Sequence, residues 1–148
     1  MIINKLKITF PSKSINESLA RNIIASFCIP INPTLDELSD VKTAVSEAVT
    51  NCIVHAYEGR EGNIEMEANL YDNGAIGVEI RDFGVGIDDI DRATQPFFTT
   101  KTDGDRSGMG FTVMQTFMDS VNVTSKKGEG TTVHMSKILK NGVKNARP

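Results

Sequence analysis

Three groups of residues in this chain have types and spacings that can do chemistry. Glu47 and Asn51 stand four apart, one helical turn, so a carboxylate and a side-chain carbonyl share a face. That pair suits a hard cation that keeps bound waters, such as magnesium. It also suits a plain solvated helix face, although Val54 lies on the same side with Thr43 and Thr50 and argues for partial cover. Asp82-Phe83-Gly84-Val85-Gly86-Ile87 directly follows an alternating apolar run. Its two glycines permit a tight turn and a close backbone approach to a flat ligand. Many loops carry such a pair, but an Asp closing a buried strand must be hydrogen-bonded, and the exocyclic amine of adenine is a natural donor. Arg106-Ser107-Gly108-Met109-Gly110 opens the next helical pattern, where free N–H groups and the positive end of the dipole suit a phosphate. Thr99, Thr100, Lys101 and Arg106 lead into it. Each group alone fits ordinary loop or surface chemistry; their conjunction, in this order, points to a nucleotide site.

Other nucleotide sites do not fit. There is no GxxxxGK[ST], so no P-loop, and no GxGxxG after a first strand. Asp82-Phe83-Gly84 spells the metal-binding tripeptide of eukaryotic-type protein kinases, but the chain lacks their HRD motif and upstream glycine loop.

The elements that must hold these groups are legible in outline. Leu6, Ile8 and Phe10 alternate, a first strand ended by Pro11. Ser14–Glu17 has the form of a capping box, followed by Ile15, Leu19, Ile23, Ile24 and Phe27 at helical spacing, with Pro30 and Pro33 as stops. A second capping box, Thr34–Glu37, opens a long helix whose stripe runs Leu38, Val41, Val45, Ala48, Val49, Cys52 and Ala56 and ends near Tyr57. Ile64, Met66, Ala68 and Leu70, then Ile76, Val78 and Ile80, alternate on either side of Asn73-Gly74, a hairpin signal. A short helical candidate at 88–94, a helix from about Met109 to Asp119, and a hairpin of Val121–Thr124 with Thr132–Met135 complete the order β-α-α-β-β-loop-α-β-β. This predicts an α+β two-layer sandwich, with helices on one face of a mixed, mainly antiparallel sheet.

The 148 residues suit one domain, with residues 140–148 expected as a flexible tail. The chain is 39% apolar and 24% charged, ordinary for a globular fold. Sixteen Lys+Arg against 19 Asp+Glu give a net charge of −3, and no basic stripe points to nucleic acid. No apolar run is long enough for a membrane span or a secretory signal. Two Cys, two His and no CxxC argue against a zinc site. Cys28 and Cys52 fall inside apolar helical patterns and read as reduced core thiols of a cytoplasmic protein.

Ser46-Glu47-Ala48-Val49-Thr50-Asn51-Cys52-Ile53-Val54-His55-Ala56-Tyr57 resembles the N box of the gyrase/Hsp90/histidine-kinase/MutL ATPases. Asp82–Ile87 resembles their first glycine box, Ser107–Gly110 their second, and Gly130-Thr131 their final Gly-Thr. Within that superfamily, Asn16-Glu17-Ser18, Pro33–Glu37, His55-Ala56-Tyr57, Gln95–Lys101 and Arg106–Phe111 are similar to the small anti-sigma factor serine kinases of endospore-forming bacteria. The resemblance covers nearly the whole chain and implies a Bergerat, histidine-kinase-like, ATP-binding fold. Asp82 would read adenine, with Gly84 and Gly86 letting the chain bend around it. Asn51 would hold Mg²⁺. Glu47 would orient or deprotonate an attacking hydroxyl. Thr99, Thr100, Lys101, Ser107, Gly108, Met109 and Gly110 would form a lid over the triphosphate, with Arg106 neutralising transition-state charge and Thr131 lining the nucleotide site. The acceptor would be a serine of an anti-anti-sigma protein, and the second partner a sporulation RNA polymerase sigma factor, sigma F. The resemblance also implies a homodimer.

Glu17 and Arg21, one turn apart, are expected to contact partner proteins; a surface ion pair is the plain alternative. Two departures from the pattern stand out: Cys52 where the family usually has Ala, and Phe83 where it usually has a polar residue, often Glu. A sensor histidine-kinase core fits less well, because such proteins carry a phospho-accepting His well before the N box and no His precedes Glu47. A general-stress anti-sigma kinase with a different sigma partner, and a non-catalytic ATP-dependent binding module, remain as alternatives.

Overall fold

The computed structural model describes residues 1–58, 60–87 and 110–139. The helical candidate at 88–94 and the tail at 140–148 lie outside them. The strands are β1 (Ile2–Pro11), β2 (Asn63–Tyr71), β3 (Ala75–Asp82), β4 (Ser120–Lys126) and β5 (Gly130–Ile138). The helices are α1 (Ile15–Cys28), α2 (Leu35–Asn51) and α3 (Gly110–Phe117). A short 3₁₀ turn, Ile29–Ile31, follows α1, and a π turn, Cys52–Ala56, continues α2.

The alternating runs behave as their period requires. Ile64, Met66, Ala68, Leu70, Ile76, Val78 and Ile80 are all buried, because successive side chains of a strand face opposite sides. Gly74 closes the β2–β3 turn at φ 84, and the Asn73 side chain accepts from the Ala75 N–H at 3.0 Å. The sheet order is β1-β2-β3-β5-β4, and all four pairings among the described residues are antiparallel. β1 begins earlier than its alternation indicates, with an irregularity between Ile2 and Asn4.

The helices cover one face. α2 packs against α1, α3 and β3, and Val41, Ala44, Val45, Ala48 and Val49 fill one core with Ile24, Met114 and Met135. The opposite sheet face carries charge, with Lys7 on Glu67 at 3.3 Å and Arg81 between Glu65 and Glu79. No helix among the described residues is long and apolar enough to cross a membrane.

The second capping box forms: the Glu37 N–H donates to Thr34 Oγ1 at 3.1 Å, and the Thr34 N–H donates to Glu37 Oε1 at 2.9 Å. The first does not. Ser14 already has helical dihedrals (φ −59, ψ −28) and makes no side-chain cap. The Glu17 carboxylate is taken from across the helix interface instead, where Ser46 Oγ donates at 2.6 Å and Thr50 Oγ1 at 2.9 Å. Arg21 reaches the same carboxylate only at 3.8 Å. Glu17 is therefore a tie between α1 and α2 as well as a candidate contact residue.

The far end of α3 is fixed to the rest of the fold. Lys137, with only 15% of its side chain exposed, donates to the Phe117 carbonyl at 2.8 Å and pairs with Asp40 of α2 at 3.6 Å. Asp119 adds two bonds to β5, from its N–H to the Ser136 carbonyl and from the Ile138 N–H to its carboxylate.

Removing the Glu17 carboxylate leaves the half-buried Ser46 hydroxyl short of its acceptor, while Thr50 Oγ1 keeps the Ser46 carbonyl at 2.8 Å, so Glu17→Ala is expected to lose about 1–3 kcal/mol of stability. Arg21→Ala loses an exposed pair and is expected to cost under about 1 kcal/mol. Urea denaturation of the two variants checks this; equal, small losses would mean that Glu17 is not a tie.

Candidate functional site

The site is built where the C-terminal ends of α2 and β3 meet. The inward period of β3 carries Ile76, Val78 and Ile80 and then delivers Asp82, 5% exposed, to the end of the core. Two backbone donors converge on its Oδ1: the Gly84 N–H at 3.0 Å and the Thr131 N–H at 3.1 Å. The thiol of Cys52 donates to the same carboxylate. None of the three donors is a cation. Burial therefore raises the Asp82 carboxyl above its ordinary value, and the two N–H groups and the thiol oppose that rise. A carboxylate offers about four acceptor positions, so one remains for a further donor.

The turn after Asp82 is fitted against two neighbours at close quarters. A Cβ on Gly84 would collide with the Ala56 carbonyl, and the Val85 N–H donates to that carbonyl at 2.9 Å. Gly86 has φ +79 and lies against the Lys126 carbonyl. Gly130, at φ +114, lies against the carbonyl of Asp82 itself. Only glycine meets both demands at Gly86 and Gly130. The β4–β5 hairpin holds the other side: the Gly128 N–H donates to the Val85 carbonyl at 2.8 Å, and the Ile87 N–H donates to Ser125 Oγ at 2.7 Å. Ser125 also bonds Thr131 Oγ1 at 2.7 Å.

Glu47 and Asn51 occupy the last turn of α2, both half-buried. The face they share is partly covered, as Val54 indicates, and is not a plain solvated surface. Asn51 immediately precedes Cys52, whose thiol reaches Asp82. The fold thus brings Asp82, Gly84, Gly86 and Thr131 together, with the Glu47–Asn51 turn leading into them. Gly110 is the first residue of α3, which packs on α2. Thr99, Thr100, Lys101, Arg106, Ser107, Gly108 and Met109 lie outside the described residues.

Both cysteines are free and buried, as their apolar surroundings predict. Burial pushes the Cys28 thiol up to about 12 and the Cys52 thiol well above its ordinary range. The departure at Cys52 adds a donor to the Asp82 carboxylate, a role that a residue read only as core does not announce. Phe83 is 51% exposed at the rim. Behind the turn, an open pocket of about 280 Å³ is lined in part by Arg81, Phe83, Thr124, Lys126 and Thr132. Its cations are already matched, Arg81 by Glu65 and Glu79 and Lys126 by Glu129, so it offers no uncompensated charge to an anion.

Tyr57 and Ser125 take part in the site although the sequence reading gives neither a site role. Their partners, Phe83 and Ile87, sit 26 and 38 residues further along or back, and only the β4–β5 register and the end of α2 bring them close.

Comparison with known proteins agrees with this geometry. Residues 10–137 match the family described as the histidine kinase-like ATPase domain. An anti-sigma F factor of Caldanaerobacter subterraneus subsp. tengcongensis is 52% identical over 136 residues, 92% of this chain and 94% of the relative. One from Clostridium kluyveri is 53% identical over 139 residues, 94% and 97% of the two chains. Among solved structures, the RsbU and RsbW domains of a Mycobacterium tuberculosis protein superpose with TM-score 0.66 at 17% identity, over 92% of this chain and 32% of that one. The histidine kinase domain of a blue-light activated kinase from Erythrobacter litoralis gives 0.58 at 19%, over 86% and 63%. At these identities the structural likeness concerns the fold.

The raised Asp82 carboxyl has a consequence for stability. The folded chain holds this proton more tightly than the unfolded chain, so its contribution is fully present below the ordinary value of 3.8 and is lost as pH rises through the folded value. Asn cannot titrate. The stability of Asp82→Asn relative to wild type is therefore expected to be higher at pH 7 than at pH 4, by urea denaturation. The same substitution presents an amide donor where an acceptor is needed and is expected to weaken adenine-nucleotide binding roughly 10- to 100-fold by calorimetry. Undiminished binding would remove Asp82 from the base site.

Proposed function

The chain belongs to the histidine kinase-like ATPase family and, within it, to the anti-sigma F factors, and on that footing we propose that it binds ATP and transfers the γ-phosphoryl group to a serine of an anti-anti-sigma partner. The observation that carries this reading is Asp82, a buried carboxylate with one acceptor position left, at the head of a turn whose glycines at 84 and 86 let the backbone pack directly on the end of α2 and on the β4–β5 hairpin.

Asp82 accepts from the adenine amine, and Thr131 lines the same wall. Among the described residues, no three His, Cys, Asp or Glu side chains converge on one point, so they form no all-protein metal cage. One amide carbonyl with a carboxylate a turn away fits a cation that keeps its waters and shares phosphate oxygens. Asn51 would hold that Mg²⁺, whose charge would offset that of the phosphates. Glu47 orients or deprotonates the attacking serine hydroxyl. Thr99, Thr100, Lys101 and Ser107–Gly110 close over the phosphates, and Arg106 meets the charge that develops in the transition state.

In its second role the protein binds a sporulation sigma factor, sigma F, and keeps it from RNA polymerase. It acts as a cytoplasmic homodimer, and Glu17 and Arg21 contribute to partner contact. Because Glu17 also ties α1 to α2, partner binding and the packing of these two helices share one side chain.

Glu47→Gln keeps the shape of the side chain and removes its charge. It is expected to retain ATP and partner binding while losing roughly 10²–10⁴-fold in phosphoryl transfer, measured with labelled ATP and a serine-bearing anti-anti-sigma protein. Activity within a few fold of wild type would leave Glu47 as a positioning group. Tight, ATP-dependent partner binding by the wild type with no transfer at all would mark a binding module instead of a kinase.

A further inference from the structure

The Asp82 turn is held to the end of α2 by a side chain that none of the motifs above includes in the site chemistry. Tyr57 follows the π turn directly. Its Oη accepts from the Phe83 N–H at 2.8 Å and donates to the Asn63 carbonyl at 2.5 Å. Its ring lies on Gly62, where a Cβ would run into the ring carbons. Gly62 is itself pinned to the end of β1, donating its N–H to Ser12 Oγ at 2.9 Å and accepting from the Ser12 N–H at 2.8 Å. A continuous clamp thus runs from β1 through Gly62 and the Tyr57 ring to Phe83, the residue between Asp82 and Gly84. The side chain of Phe83 is half exposed and anchors little. Burial also raises the Tyr57 phenol above its ordinary range, so the hydroxyl keeps the proton it donates to Asn63.

We infer that Tyr57 is a positioning residue for base recognition: its hydroxyl holds Phe83 so that the Asp82 carboxylate meets the adenine amine at the correct distance and angle. This rests on the nucleotide reading given above. Asp82 Oδ1 is oriented by Gly84, and Val85 is held by Ala56. Residue 83 joins these two anchored points. If it swings, the peptide that carries the Gly84 N–H tilts and the carboxylate turns with it. The reciprocal requirement falls on Gly62, because a methyl group there displaces the ring and with it the hydroxyl.

Tyr57→Phe keeps the ring on Gly62 and removes both hydrogen bonds; Gly62→Ala keeps the hydroxyl and displaces the ring. Both are expected to weaken ATP binding roughly 3- to 10-fold by calorimetry and to speed amide exchange at Phe83. Inosine triphosphate carries a carbonyl where adenine carries the amine and offers Asp82 no such donor, so its affinity is expected to change less than about 2-fold. The ATP-to-inosine-triphosphate preference therefore falls in both variants. In an Asp82→Asn background, Tyr57→Phe is expected to add nothing to the loss. Unchanged ATP affinity in Tyr57→Phe overturns the inference. So does an equal loss for both nucleotides, since a purely structural defect does not discriminate between bases. If wild type binds neither nucleotide, the nucleotide reading itself falls, which is a different result from a wild type that binds ATP and a variant that binds it equally well.

Discussion

Everything at the working end of this fold depends on satisfying one buried carboxyl group that has no cation among its three donors. Moving an ionised group out of water is costly, and hydrogen bonds must offset the loss of hydration. Asp82 draws its donors from three separate stretches: the turn that follows it, the first residues of β5, and the end of α2. No single element can satisfy the charge. The strand, the helix and the closing hairpin have to arrive together, so the carboxylate acts as a test of correct assembly. The donors leave it under-satisfied, and that shortfall is what a ligand amine can fill.

The close approaches around the turn serve the same end. The last carbonyls of a helix lack partners within the helix. In this chain the Ala56 carbonyl, at the end of the π turn, finds one in the Val85 N–H. π turns occur often at functional sites, and this one lies between the Glu47–Asn51 pair and the Asp82 turn. Glycines at 84 and 130 allow backbone to meet backbone on both sides. Side chains there would hold the helix and the hairpin apart, and the Asp82 carboxylate would lose donors from both.

Local and periodic features were legible in the sequence; features that need two distant segments were not. The β2–β3 hairpin followed from strict alternation about Asn73-Gly74, and each apolar residue of that pattern is buried. The Thr34–Glu37 box formed because both of its partners lie within one turn. Ser14–Glu17 has the same local form, yet Ser46 and Thr50, 29 and 33 residues away, hold the Glu17 carboxylate. The widening of α2 after Asn51 leaves no mark on the apolar stripe, since Cys52 and Ala56 stay buried. Asp82, Gly84 and Gly86 stand out by residue type, but the glycines meet the Ala56 and Lys126 carbonyls, where the sequence reading expects a close approach to a flat ligand. Cys52 looks like core, and Tyr57 looks like the end of a helix; the polar duty of each depends on where β3 ends.

The way α3 is fastened gives it the mechanics of a strut. The helix has eight residues and so is about 12 Å long. Its final carbonyl is gripped by Lys137, which is braced by Asp40, and Asp119 bolts the exit to β5. Its opening turns are held by packing instead: Phe111 lies on the core and Met114 is fully buried within it. A push at Gly110 is therefore carried along the rod to the Lys137–Asp40 pair, and Asp40 belongs to α2, the helix that also carries Glu47 and Asn51.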